Sequence, residues 1–145
     1  MFMKVLVLNG PNLSKLDIRD SSIYGDMSYP QLVAHIKGAA ESNGFEADVR
    51  QSDDEATMIS WLHEAAEGNI PVIINPAAFT HYSYAIRDAA ELVKAPLIEV
   101  HLSNPLAREE FRHTSVISGV ANGTIGGFGP NSYSLALAAL KTLIS

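Results

Sequence analysis

Ile70-Pro71-Val72-Ile73-Ile74-Asn75-Pro76 lies near the middle of the 145-residue chain. Ile70 to Asn75 reads as a strand with apolar residues on both faces (Ile70, Val72, Ile73 and Ile74). A strand apolar on both faces belongs inside a parallel sheet covered by helices on each side. The flanking sequence agrees. Met58, Ile59, Leu62 and Ala65-Ala66 mark a helix before it, and Ser83 to Val93 a helix after it that stops ahead of Pro96. Further out, Glu46 to Gln51 and Leu97 to His101 read as strands. Gln31 to Asn43 is helical, with Leu32, Ile36 and Ala39-Ala40 on one face. Ser28 and Gln31 suit a capping box, Pro30 suits the first turn, and Gly44 a C-terminal cap. Lys4 to Asn9 is the first strand, and Val116 to Ile125 contains the fifth. Asn131 to Ile144 is the last helix, with Leu135, Leu137, Ala138 and Leu140 available for packing. No linker, repeat or low-complexity tract interrupts these five β-α units. The predicted fold is α/β, a single domain over residues 1–145. It is a flavodoxin-like three-layer sandwich with a five-stranded parallel sheet in the order 2-1-3-4-5.

Composition narrows the function. Lys and Arg total 10 against 16 Asp and Glu, for a net charge of −6, and no basic cluster reads as a nucleic-acid stripe. With no cysteine, disulfides, thiolate nucleophiles and Cys-ligated zinc are excluded. No apolar run approaches the roughly 20 residues that span a bilayer. Lys4-Val5-Leu6-Val7-Leu8 reads as a first strand, not as a secretory segment. The expectation is a soluble cytoplasmic protein.

In such a sheet the ligand sits outside the carboxyl ends of the strands. Strand one ends in Asn9-Gly10-Pro11-Asn12, and strand three in Asn75-Pro76-Ala77-Ala78-Phe79-Thr80-His81. Strand four ends in His101-Leu102-Ser103-Asn104, followed by Arg108 and Arg112. Each motif has an ordinary explanation. Asn-Gly and Asn-Pro form turns, and His81 could cap the next helix. Arg108 and Arg112, four apart on one face of a short helical turn around Glu109-Glu110-Phe111, could be surface charges beside their acidic neighbours. Together they place amides, histidines and arginines on one crevice. Arginines and backbone N–H groups around Leu102-Ser103 suit a carboxylate, and amides and His81 suit hydroxyls. The ligand is then a small polyhydroxylated acid. A nucleotide is disfavoured, because strand one leads into neither a Walker motif nor G-x-G-x-x-G. Gly126-Gly127-Phe128-Gly129 follows strand five and reads as the connection to the last helix. The long segment Gly10 to Met27 reads as a lid. Guanidinium groups favour a phenolate beside them, so Tyr24 near Arg19 could act as a base. Packing at the surface is the ordinary alternative for that ring.

These motifs, in order, resemble the type II 3-dehydroquinate dehydratases. The resemblance runs through Asn9 to Leu13, Arg19, Ile23-Tyr24-Gly25, Gln51-Ser52, Asn75-Pro76, Thr80-His81, Glu99 to Asn104 and Ala107 to His113. It covers nearly the whole chain. It implies a flavodoxin-like fold, no metal or cofactor, and a homododecamer built as a tetramer of trimers. It also implies dehydration of 3-dehydroquinate to 3-dehydroshikimate through an enolate, a step shared by the shikimate pathway of aromatic biosynthesis and by quinate breakdown. By resemblance Tyr24 is the base, with Arg19 stabilising it. Asn12, through a water, stabilises the enolate oxygen, and His101 is the general acid. Glu99, on the same strand face, orients His101. Asn75 and the Leu102 and Ser103 amides match the carboxylate site, and His81 and Arg112 the hydroxyl site, with Arg108 behind them. Asp88 matches an acid presented by a neighbouring subunit.

The chain also departs from the family pattern. After Asn12-Leu13 the family continues Asn-x-Leu-Gly-x-Arg-Glu-Pro, where this chain has Ser14-Lys15-Leu16-Asp17-Ile18-Arg19-Asp20-Ser21. The family's Gln-Ser-Asn-His-Glu-Gly-Glu becomes Gln51-Ser52-Asp53-Asp54-Glu55-Ala56-Thr57, and a glycine becomes Ala77. Asp53 or Asp54 near Tyr24 would oppose a phenolate unless paired, with Lys15 or Arg50 as partners. The rewritten lid leaves a second reading, an enzyme for a related cyclic hydroxy acid. A receiver or flavodoxin-type binding module fits poorly. Strand one lacks the acidic pair or Ser/Thr-rich loop these need, and no lysine sits near strand five.

Overall fold

Alternation along each strand divides the core into two apolar layers. In the computed structural model, which describes residues 2–144, the strands are β1 (Met3–Asn9), β2 (Phe45–Gln51), β3 (Val72–Asn75), β4 (Leu97–His101) and β5 (Gly123–Gly126). They form one parallel sheet in the order β2-β1-β3-β4-β5, as the sequence predicts. Successive strand residues face opposite ways. Val5, Val7, Ile73, Ile98 and Val100 therefore pack against one face, under α2 (Tyr29–Ser42) and α5 (Asn131–Ile144). Leu6, Leu8, Val72, Ile74 and Leu97 pack on the other, under α3 (Glu55–Gly68) and α4 (Tyr84–Glu91).

Local chemistry sets the helix ends. Ser28 and Gln31 close the expected capping box on α2 with bonds of 2.9 and 3.4 Å. Gly44, just past the end of α2, has φ +85°, which a side chain would oppose. Asp54 caps α3 through the Thr57 amide, and Ser83 caps α4 through the Ile86 amide.

Three expectations change in detail. β3 starts at Val72, not Ile70, because Pro71 has no N–H for the ladder and contributes only its carbonyl, to the Leu6 amide. The fifth strand is confined to Gly123–Gly126, at the end of the 116–125 segment and one residue past it. Upstream, the Ser115 hydroxyl accepts the Ile117 and Ser118 amides at 3.1 and 3.0 Å, and a 3-10 turn follows over Ser118–Val120. Local side-chain bonds of this kind compete with a strand ladder. The single helical turn expected to carry Arg108 and Arg112 is two short 3-10 turns, Pro105–Ala107 and Glu110–Arg112, broken by extended backbone at Arg108.

Between β1 and α2 the lid folds into a 3-10 segment, Leu13–Ile18, and a four-residue helix, α1 (Ser21–Tyr24). Leu13 and Leu16 anchor it in the core.

Candidate active site

A cleft of about 110 Å³ opens above the carboxyl ends of β1, β3 and β4. Asn12, Arg19, Tyr24, Asn75, His81, His101, Leu102, Ser103, Arg108 and Arg112 all line it. Two backbone segments meet closely at its floor. The Gly10 amide donates to the Asn75 carbonyl at 2.8 Å. A Cβ on Gly10 would lie 2.6 Å from the Pro76 carbonyl oxygen, so only glycine allows this approach.

His101 ends β4, and Glu99 lies two residues back on the same face. Glu99 Oε2 is 2.6 Å from His101 Nε2. The carboxylate is 1% exposed, and a charge so buried requires partners. Thr80 Oγ1 donates to Oε2, Ser115 Oγ to both oxygens at 2.9 and 3.1 Å, and Ser118 Oγ to Oε1 at 2.6 Å. Burial pushes Glu99 toward the neutral acid, but the bonds from His101, Ser118 and Thr80 outweigh it and hold the carboxyl below its ordinary value.

Tyr24 occupies the lid wall. The Arg19 guanidinium carbon is 3.5 Å from its ring centroid, and that of Arg108 is 5.1 Å away. Burial lowers Arg19 below the usual guanidinium value, and Arg108 and Arg112 push the same way against Tyr24. Arg108 Nη1 donates to Ser103 Oγ at 3.4 Å, and its buried Nε has no hydrogen-bond partner among the described residues. Such a donor suits an anion in the cleft. Arg112 Nε donates to Glu109 at 3.3 Å. His81 does not cap α4; its Nδ1 lies 2.8 Å from the Thr114 carbonyl oxygen. Asn12 holds a left-handed backbone, φ 70°. Its amide donates to Asp53 Oδ1 at 2.9 Å.

Asp88 stands apart from the cleft, exposed on α4. Arg50, one of the two cations that could pair with Asp53 or Asp54, does not do so. Arg50 instead binds Asp48 and Glu64, each at 2.8 Å, because β2 and α3 place those carboxylates on either side of it. Asp54 is used in the α3 cap, and Asp53 accepts from Gln51 Nε2 at 3.0 Å as well as from Asn12.

Ser115, Ser118 and Tyr133 have no role in the sequence reading, and Thr80 appears there only inside a motif. Ser118 lies in the segment that reads as containing strand five and Ser115 just before it, so nothing local signals that both reach Glu99. Tyr133 lies inside the expected last helix, where no local signal marks a buried polar contact.

Comparison with known proteins bears on this cleft. The family model described as dehydroquinase class II matches residues 3–141. The chain belongs to the class II dehydroquinases. Its relatives include a 3-dehydroquinate dehydratase of Salinispora tropica, 52% identical over 135 residues, which covers 93% of this chain and 94% of the relative. The corresponding protein of Caldicellulosiruptor bescii is 51% identical over 142 residues, covering 97% and 98%. The crystal structure of a type II dehydroquinase from Propionibacterium acnes superposes with a TM-score of 0.94 at 48% identity, covering 98% of this chain and 99% of that one. Within this class II dehydroquinase, Ala77 takes φ 53°, a left-handed conformation that glycine adopts without penalty. The alanine therefore sits on a strained turn in the cleft wall. Among the described residues no group of three or more His, Cys, Asp or Glu could hold a metal ion. No helix there is long and apolar enough to cross a membrane.

Proposed function

We propose that this protein dehydrates 3-dehydroquinate to 3-dehydroshikimate and water through an enolate. One observation carries the reading: a tyrosine flanked by two guanidinium groups and a histidine backed by a buried carboxylate line the same small cleft. Removing a proton α to a ketone and expelling a hydroxyl needs a base and an acid at two positions on the ring.

Tyr24, as phenolate, takes the α proton, and Arg19 and Arg108 offset its charge. Asn12 supports a water at the enolate oxygen, where fixed donors count most. His101 passes a proton to the departing hydroxyl while Glu99 holds its Nε2. Arg108, Asn75 and the Leu102 and Ser103 amides take the carboxylate, and His81 and Arg112 the ring hydroxyls. Supporting a complete assembly, Asp88 lies exposed outside its own cleft. It would serve the site of a neighbouring subunit in a homododecamer. We place the enzyme in the cytoplasm as a single catalytic domain that uses no cofactor, in the shikimate pathway or in quinate breakdown.

The test is growth of enone absorbance from 3-dehydroquinate with purified protein and a metal chelator present. Steady product formation is expected. No turnover would overturn the assignment, and loss of turnover on adding chelator would overturn the metal-free mechanism. The rewritten lid favours one alternative, a related cyclic hydroxy acid. A kcat/KM for such an analogue above that for 3-dehydroquinate would establish it.

A further inference from the structure

Beneath the cleft a chain of buried polar groups reaches Asn75 from the core. Tyr133 on α5 is fully buried. Its Oη donates to Asn9 Oδ1 at 2.6 Å and accepts from Asn75 Nδ2 at 2.9 Å. Asn9 Nδ2 in turn lies 3.5 Å from Tyr29 Oη. Asn9 and Asn75 sit side by side in the β1–β3 register, so one phenol bridges both.

Hydrogen-bond capacity sets the direction of every bond here. The Ala77 backbone N–H can only donate, which turns Asn75 Oδ1 toward it and Asn75 Nδ2 toward Tyr133, so the single Tyr133 proton is left to point to Asn9 Oδ1. The Tyr133 oxygen must then accept from the atom of Asn75 that faces it, and that atom is the NH₂ nitrogen. On the opposite side, Asn75 Oδ1 accepts the Ala77 amide at 3.1 Å. A flipped Asn75 would set its NH₂ against the Ala77 N–H and its oxygen against a Tyr133 lone pair. Both contacts would lose their bond in a site with little water to replace them. Burial also raises the Tyr133 hydroxyl above its ordinary value, so it stays a protonated donor.

We infer that Tyr133, held by Asn9, is a positioning residue that locks the Asn75 amide with one N–H free for the substrate. This rests on the reading of Asn75 as a substrate contact. It gives Asn9 a function beyond turn formation.

The experiment compares Tyr133→Phe, Asn75→Ala, their double variant and Tyr29→Phe in steady-state turnover of 3-dehydroquinate. The Asn75 side-chain amide resonances are followed in wild type, Tyr133→Phe and Tyr29→Phe, which retain that side chain. Loss of one directed hydrogen bond should raise KM about tenfold in Tyr133→Phe, with kcat within about threefold. Asn75→Ala should raise KM at least as much, and the double variant no further. Tyr133→Phe should shift the Asn75 amide signals. Tyr29→Phe, which touches only the far end of the chain, should leave KM unchanged.

Additive KM effects, unchanged Asn75 resonances in Tyr133→Phe, or an equal KM rise in Tyr29→Phe would each overturn the positioning role. An unchanged KM in Asn75→Ala would instead overturn the reading of Asn75 and the inference with it. Because the resonances need no turnover, they separate failure of the lock from failure of the proposed reaction.

Discussion

The two walls of the cleft are built differently. His101 stands at the end of a paired strand. Its partner Glu99 is nearly inaccessible and takes hydrogen bonds from Thr80, Ser115 and Ser118. Tyr24 ends a four-residue helix with no buried residue, capped by Asp20 at the Ser22 amide. Its half-buried ring packs on the edge of the core layer and lies under the guanidinium groups of Arg19 and Arg108. The acid wall is thus positioned by the sheet ladder and directed hydrogen bonds. The base wall is positioned by apolar packing at the core's edge and by charge over a ring, neither of which fixes direction as a hydrogen bond does. A rewritten lid can keep its chemistry if it returns Tyr24 to those two cations.

The largest expected effect tests both walls together. Tyr24→Phe and His101→Ala should each lower kcat by about 10²- to 10⁴-fold, the range for a lost acid or base. Circular dichroism should show both folded. Near-normal turnover in Tyr24→Phe would remove the lid wall from the chemistry and leave the comparison without its second half.

A smaller effect is expected on replacing Glu99 by Gln, which keeps the shape and removes the charge. Loss of one charge-assisted hydrogen bond should cost about 10- to 100-fold in kcat. It should also change acid stability. Glu99 is held ionised, so its folded value lies below its unfolded one. That contribution is fully present above the ordinary carboxylate value near 4.5 and is lost as pH falls through the depressed one. Thermal midpoints should show a gap between wild type and Glu99→Gln that narrows as pH drops below that value. A gap constant down to pH 3 would show that the hydroxyl cage does not hold the charge.

The smallest effect concerns the floor between the walls. Left-handed backbone costs an alanine about 1–2 kcal/mol, whereas glycine adds about 0.4–1 kcal/mol of unfolded-chain entropy. Strain outweighs entropy at Ala77, so Ala77→Gly should raise stability by about 0.5–1 kcal/mol. That corresponds to roughly 1–4 °C in melting temperature for a chain of this size. A fall in melting temperature would mean that the Asn75–Ala77 bond relieves the turn.

Much of this was legible from residues alone, for reasons that differ by position. Glu99 and His101 share a face because strand alternation is exact, so their pairing follows from spacing. Ile73 and Ile74 reveal the central strand because both faces must be apolar. Arg108 and Arg112 both reach the crevice, but from extended backbone and a 3-10 turn and not from one helical turn. Asp53, Asp54 and Arg50 show the opposite case. Their charges suggest pairing, yet Asp54 caps its own helix, Asp53 takes the Asn12 lid amide, and Arg50 binds the carboxylates set beside it by its own strand and by α3.

The sequence by itself determined the alternation of strands and helices, and with it the sheet order and the edge where polar side chains gather. Periodicity and short-range caps are properties of neighbours along the chain. Only the tertiary structure decided that Ser115, Ser118 and Thr80 surround Glu99, and that Tyr133 reaches across the core to Asn75. Those contacts join residues 16 to 58 positions apart. A buried polar atom takes whichever partner the packed fold sets within hydrogen-bond reach.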